Sequence, residues 1–207
     1  MARAFAEIAF TEAVREMQER QGSAAMNDRM LADDVERGEK IGPDEAAFIA
    51  ARDGFYQATV GATGWSYVQF HGGPRGFLKV LDERRLAYAD FRGNRQYVSA
   101  GNLAGDGRVA LFLMDYPSRA RLKIWGRAHL VPAEEDIALI GDLYTPSYRA
   151  HPERAVVIEV AAFDWNCPQH IPQRLTLEEM APHLQPMRDE IARLKKENAE
   201  LRHGLST

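Results

Sequence analysis

The stretch from Arg85 to Ala128 constrains the fold more than any other, because its hydrophobic pattern changes repeatedly within a short run. Leu86 to Phe91 reads as a strand. Gly93-Asn94-Arg95-Gln96 is a turn that leads into a short helix, and a Gly-rich turn at Gly105 to Gly107 ends that helix. Arg108 to Met114 follows as an almost unbroken hydrophobic strand, so burial on both of its faces is expected. From Arg121 a further strand carries Arg121, Lys123 and Arg127 on alternate positions.

The flanking sequence continues this β pattern. Phe55 to Val60 and Trp65 to Phe70 surround the turn Gly61-Ala62-Thr63-Gly64 and predict a hairpin. Phe77 to Leu81 is a third strand, and Ala155 to Phe163 is the last. A helix is predicted over Thr11 to Arg20, and another from Gly42-Pro43 to about Asp53-Gly54. Pro132 to Leu143 is expected to be helical, whereas the charged segment from Ala25 to Lys40 has no period and reads as a surface excursion. Six or more strands with short helices inserted describe an α+β, mainly β chain that closes as a barrel.

Charge and cysteine usage narrow the function. Lys and Arg total 26 against 30 Asp and Glu, which argues against a nucleic-acid partner while leaving room for a local anion site. The single cysteine, Cys167, cannot form an intrachain disulfide, so a reducing cytoplasm is the expected compartment. No run reaches the roughly 20 apolar residues of a membrane helix, and Glu7 and Glu12 interrupt the N-terminus before a signal peptide could develop. The six histidines show no ligand spacing, so no metal is expected.

Alternation places Arg121, Lys123, Trp125 and Arg127 on one strand face and Leu122, Ile124 and Ala128 on the other. Arg121 and Lys123 are then about 7 Å apart, a spacing that can flank one phosphate. Asn94-Arg95-Gln96 is read as the start of the following helix, where backbone N–H groups and the helix dipole favour an anion. Cations on alternate positions equally suit a solvated outer face.

These segments together resemble the pyridoxamine 5'-phosphate oxidase-like family of FMN-binding split barrels, most clearly from Asp53 to Ala128. GGPRGFLKVL and GNRQY resemble in particular a bacterial subgroup of predicted flavin-nucleotide-binding proteins. The resemblance implies a split β-barrel with peripheral helices and a C-terminal helix, working as a homodimer with FMN in a groove between subunits. It aligns Phe77-Leu78-Lys79 with a flavin-contacting strand, Ala89-Asp90 with a Tyr-Thr-like pair, and Asn94-Arg95-Gln96 with a Ser-Arg-Lys turn. Lys79 and Arg95 would contact the phosphate, with Asn94 and Gln96 adding hydrogen bonds. Arg121 falls where the family often has a Gln against the flavin, and Lys123 is grouped with it. Asp90 stands where the family has a Thr, which suits a ring nitrogen or a ribityl hydroxyl better than a phosphate.

The same resemblance implies an FMN-dependent oxidoreductase acting on a small molecule, with no acid or base residue assigned. A flavin-binding or sensing module without turnover is the alternative, as is a split barrel that holds haem or a deazaflavin.

A second cluster, Trp165 to His170, follows the last strand, where Pro168 and Pro172 stop regular pairing and hold the segment extended. Trp165 could cover a ring, and Asn166, Gln169 and His170 could bond flavin carbonyls and nitrogens; a strand edge with a satisfied Trp and His fits equally well. His71-Gly72-Gly73-Pro74-Arg75-Gly76 lacks the register of a dinucleotide loop, so its glycines are read as permitting a bulge or a close approach to a flat ring.

Domain organisation is expected as residues 1–174 for the barrel with its N-terminal helical extension and 175–207 for a helical tail. In that tail Leu184, Met187, Ile191, Leu194, Asn198, Leu201 and Leu205 are spaced alternately by three and four residues. This is a heptad seam with Asn198 at an a position, and it suits either a coiled coil between two chains or a helix lying on its own barrel.

Overall fold

The structure is a computed structural model that describes residues 3–146, 148–165 and 168–204. These fall into two compact units. The first takes the chain up to Asp115 and from Ala120 to Pro168; the second takes Tyr116–Arg119 and the chain from Gln169 on.

In the first unit, helices α1 (Ala4–Ala9), α2 (Glu12–Arg20) and α3 (Ala24–Asp28) precede a single 3-10 turn at Arg29–Leu31 and helix α4 (Pro43–Ala50). Strands β1 (Gly54–Val60), β2 (Ser66–Gly72), β3 (Lys79–Asp82) and β4 (Arg85–Phe91) follow. Then come α5 (Val98–Gly105), β5 (Arg108–Asp115), β6 (Ala120–Pro132), α6 (Ile137–Leu143) and β7 (Pro152–Trp165). The strands form one sheet in the order β2-β1-β5-β6-β7-β4-β3, with every neighbouring pair antiparallel. The fold class is α+β, mainly β.

The sheet is strongly curled. Four steps separate β1 from β4, about 19 Å on a flat sheet. Yet the Tyr88 hydroxyl on β4 donates to Gln57 Oε1 on β1 at 2.9 Å, and the Phe55 and Tyr88 rings are 5.3 Å apart. Side chains from both ends of the sheet thus meet in one interior. Its core gathers Phe55, Phe77, Leu86, Leu111, Leu113, Leu122, Ile124, Ile158 and Phe163, among others.

A second, outer cluster forms where α6 lies over β4 and β7. Ala87, Ala89, Ala155, Val157 and Leu143 are all buried there, with Leu139 and Ile140 packed against them. Alanines at the contact let the helix approach closely. At Gly126 β6 bulges against β7, and a Cβ would sit 2.5 Å from the Glu159 carbonyl oxygen, so only glycine fits.

Several elements differ from the sequence reading. Arg108 to Met114 buries only one face: Val109, Leu111 and Leu113 are buried, while Ala110, Phe112 and Met114 remain half-exposed. The strands buried on both faces are instead β4 and β7, because α6 covers them. The third strand begins at Lys79, since Phe77 and Leu78 turn into the core before pairing starts. The strand that starts at Ala120 runs through Pro132, which shortens the expected helix to Ile137–Leu143. The Ala25 to Lys40 segment contains short helical turns, and α1 at the N-terminus had no clear signal. The glycines of the 71–76 segment do meet a tight approach, though within the chain itself. Gly76, at φ +74, lies where a Cβ would be 3.1 Å from the Ala50 carbonyl oxygen.

The second unit contains α7 (Leu177–Gly204), opened by a reciprocal cap: the Glu179 N–H donates to the Thr176 hydroxyl, and the Thr176 N–H donates to the Glu179 carboxylate. Pro182 and Pro186 lie within it. No helix among the described residues is long and apolar enough to cross a membrane.

Candidate functional site

A cavity of about 230 Å³ opens in the first unit between the end of β4, the inner face of β2 and the start of α5. Asp90, Asn94, Arg95 and Gln96 line it, together with Tyr67, Gln69, Tyr97 and Ser99. Four residues from the sequence prediction therefore converge in one place.

The turn that builds this wall is backbone-strained. Arg95 (φ 63) and Tyr97 (φ 52) both adopt the left-handed conformation, which non-glycine residues rarely enter. The expected helix start at Asn94-Arg95-Gln96 is corrected accordingly. Two left-handed residues cannot begin a right-handed helix, and α5 starts at Val98. The Gln96 N–H donates to Asn94 Oδ1 at 3.1 Å, so the Asn94 side chain shapes the turn. Because Tyr97 supplies no side-chain cap, the N-terminus of α5 presents uncapped N–H groups beside exposed Arg95. Uncapped amides, a helix dipole and a guanidinium form a physically sound anion site.

Behind Asp90 and Tyr97, charged residues outside the cavity lining pair with one another. Arg154 lies 3.4 Å from Asp90 and 2.7 Å from Glu153, whose carboxylate also meets Arg92 at 3.2 Å. The Tyr97 hydroxyl donates to Glu153, and the Arg154 guanidinium lies over the Tyr97 ring. Burial pushes the Asp90 carboxyl above the usual carboxylate range, and Arg154 opposes that rise. With Arg95 counted, three cations face two carboxylates, so the region keeps a net positive charge.

Inside the barrel, polar side chains lead up to the cavity. The Ser99 hydroxyl donates to Gln69 at 2.7 Å, and Asn102 on α5 donates to Thr59 at 3.0 Å. His71 stacks on Phe55 and meets the Tyr88 ring at a tilt, and burial lowers its pKa to about 4. Its Nε2 and the amide nitrogen of Gln57 are buried without a hydrogen-bond partner among the described residues.

The remaining predicted site residues are elsewhere. Phe77 and Leu78 are core side chains and offer a ligand only backbone. Ala89 is buried under α6. Lys79 is half-buried on β3 and does not line the cavity. Lys123 pairs with Asp164 at 3.0 Å and lies over the Phe5 ring, while Arg121 lies over Phe112. Trp165 is the last residue of β7; its Nε1 donates to Glu45 at 2.7 Å and its ring meets Phe48 edge-on, the satisfied arrangement. Gln169 and His170 form an exposed turn in the second unit, with His170 at φ 62. Asn166 and Cys167 lie outside the described residues.

Tyr67, Gln69 and Ser99 were missed by sequence reasoning. Their signal was the alternation of Tyr67, Gln69 and His71, three polar or half-polar residues on one face of β2. Among the described residues no group of three or more His, Cys, Asp or Glu could hold a metal ion.

The family described as "Pyridoxamine 5'-phosphate oxidase" matches residues 41–166. No curated protein matches the chain. Similar solved structures include an FMN-binding protein from Syntrophomonas wolfei subsp. wolfei, with 12% identity, covering 73% of this chain and 96% of the other at a TM-score of 0.47. A protein related to general stress protein 26 (pyridoxinephosphate oxidase family) from Clostridium acetobutylicum has 12% identity over 66% of this chain and 94% of the other, at 0.44. HupZ from Group A Streptococcus has 14% identity over 65% of this chain and 99% of the other, at 0.47.

Proposed function

This chain belongs to the pyridoxamine 5'-phosphate oxidase family, and from that membership we propose that it binds FMN as a homodimer and serves as a cytoplasmic oxidoreductase for a small organic molecule. The observation that carries the proposal is the cavity wall formed by Arg95, the strained turn and the uncapped start of α5. Its donors fit a phosphate. The Arg95 guanidinium and the first N–H groups of α5 hold the phosphate oxygens, while the Asn94 and Gln96 amides add donors. Asp90, kept beside Arg154, accepts from a ligand hydroxyl rather than facing the phosphate.

When bound, FMN supplies hydride or electron transfer, and the protein supplies position and electrostatics. The cavity of one protomer, about 230 Å³, is smaller than the roughly 300–1,000 Å³ of a complete small-molecule site. A second protomer completes it. The surface suited to that protomer is the outer face of β2, β1 and β5, where Tyr56, Val68 and Phe70 are 41%, 60% and 57% exposed. Arg121 and Lys123 lie on the outward face of neighbouring β6, which this pairing would draw into the interface.

The untagged protein, purified and scanned in the visible range, tests the reading. FMN released at about one per subunit supports it; a colourless protein that takes up no FMN, or one that releases haem or a deazaflavin, overturns it. Arg95→Ala is expected to weaken FMN binding by about tenfold or more while the chain stays folded, since a charge-assisted hydrogen bond is worth about 1.5–3 kcal/mol. Lys79→Ala, tested separately, should change it little. Oxidation of a reduced nicotinamide by the holoprotein distinguishes an enzyme from a flavin-binding module.

A further inference from the structure

We propose that the α7 helices of two copies of this chain pair in parallel and in register as a two-stranded coiled coil. The pairing does not depend on the flavin reading. Met187, Ile191, Leu194, Asn198 and Leu201 fall on one seam of α7, separated by four, three, four and three residues. The four apolar members are 62%, 50%, 48% and 64% exposed in the single chain. A helix otherwise rich in charge does not keep such a stripe in water without a partner.

The identities on the seam select the partner. Ile191 takes an a position and Leu194 and Leu201 take d positions, the combination that favours two parallel strands. Asn198 takes the next a position. Its amide finds a hydrogen-bonding mate inside the seam only when Asn198 of a second copy lies directly opposite, which requires a parallel, unshifted pairing of identical helices.

The flanking charges agree. In a parallel pair each g residue faces the e residue five places further along the other helix. Glu190 would then face Lys195 of the second copy, and Glu197 would face Arg202. An antiparallel pair would instead set glutamates against glutamates and cations against cations, which is repulsive. In the single chain Arg193 gathers both Glu190, at 2.7 Å, and Glu197, at 3.2 Å, from the outer side of the seam. Lys195 has no ion-pair partner among the described residues. Pro182 and Pro186 each lack an N–H and interrupt the helical ladder just before Met187, so the paired region begins there. At fewer than three heptads the coil would be marginal alone. A second contact between the same two chains raises the local concentration of the helices and would secure it.

Disulfide trapping in the full chain tests the geometry. In a Cys167→Ser background, Ile191→Cys and Asn198→Cys are made separately, with Lys196→Cys on the outer helix face as a control, and each is oxidised with diamide. Parallel, in-register helices place each seam position against its own copy. Both seam variants should therefore yield disulfide-linked dimers at least tenfold faster than the control. An antiparallel pair can bring at most one position against itself, and a helix lying on its own barrel brings neither. Linkage at one position or at none overturns the proposal. If Cys167→Ser does not fold, the seam variants in the native-cysteine chain are read by mapping the linked residues by mass spectrometry. A colourless protein that cross-links at both positions would remove the flavin reading and leave the coil intact.

Discussion

The two halves of the barrel wall treat their outer faces in opposite ways. On β4 and β7 the outward residues Ala87, Ala89, Ala155 and Val157 lie beneath α6, and the interior holds Leu86, Tyr88, Val156 and Ile158. Both faces are apolar, and both are covered by the same chain. On β1 and β2 the polarity is inverted. Gln57, Thr59, Gln69 and His71 point inward, while Tyr56, Val68 and Phe70 point out to solvent. Inward polarity on that half is supported by α5, whose Ser99 and Asn102 reach Gln69 and Thr59. Among the described residues the outward side chains of Tyr56, Val68 and Phe70 remain exposed. The lesson is that a strand's apolar face need not be its core face.

The sharpest way to break the comparison is to place a charge under the covered half. Ala89→Arg would force a long cation into the closely packed contact with α6. It should destabilise the protomer by about 3–5 kcal/mol, read as a loss of urea midpoint. A variant of native stability would mean that α6 does not seal this face.

The next effect is pH-dependent and belongs to the inverted half. His71 is buried and its folded pKa is depressed from 6.5 to about 4, so below pH 6.5 the unfolded chain takes up the proton first. Stability present above pH 6.5 is therefore lost progressively as the pH falls towards 4, by up to about 3 kcal/mol. Replacement by Gln should flatten that part of the curve, measured as the difference between native and His71→Gln unfolding at pH 7 and pH 4.5. Equal slopes would show that His71 is solvated.

The smallest effect on the fold, and the most selective, is expected from Val68→Lys on the bare face. Protomer stability should change by no more than about 0.5 kcal/mol, as for other exposed positions. For the proposed dimer, the dissociation constant should rise about tenfold or more, equivalent to about 1.4 kcal/mol, by sedimentation equilibrium. An unchanged dissociation constant would place the interface elsewhere.

Legibility in the sequence followed the same division. The strands are readable from their turns and β-branched content, and Asp90, Asn94, Arg95 and Gln96 line one cavity because one short stretch carries them all. Arg108 to Met114 was read as buried on both faces because its sequence is apolar throughout. Only the position of α6 shows that β4 and β7 hold that place. The side chains of Phe77 and Leu78 lie in the core, which the sequence does not reveal, since an apolar pair before a lysine is the same string in either setting. Tyr67, Gln69 and Ser99 were overlooked because the residues meeting at the cavity come from β2 and α5, some thirty positions apart.

What the sequence determined by itself is local: the order of strands and helices, the tight turns that only glycine permits, the cationic turn at Arg95 and the heptad spacing of α7. These depend on backbone sterics and on periodicity over a few residues, and both are written along the chain. The tertiary structure decided which face of each strand looks inward, which strands α6 covers and which of the cations lines the cavity. Those outcomes depend on the curl of the sheet, which brings β1 against β4 across four strands. Proximity of that kind is set by the whole sheet, and no short window of residues contains it.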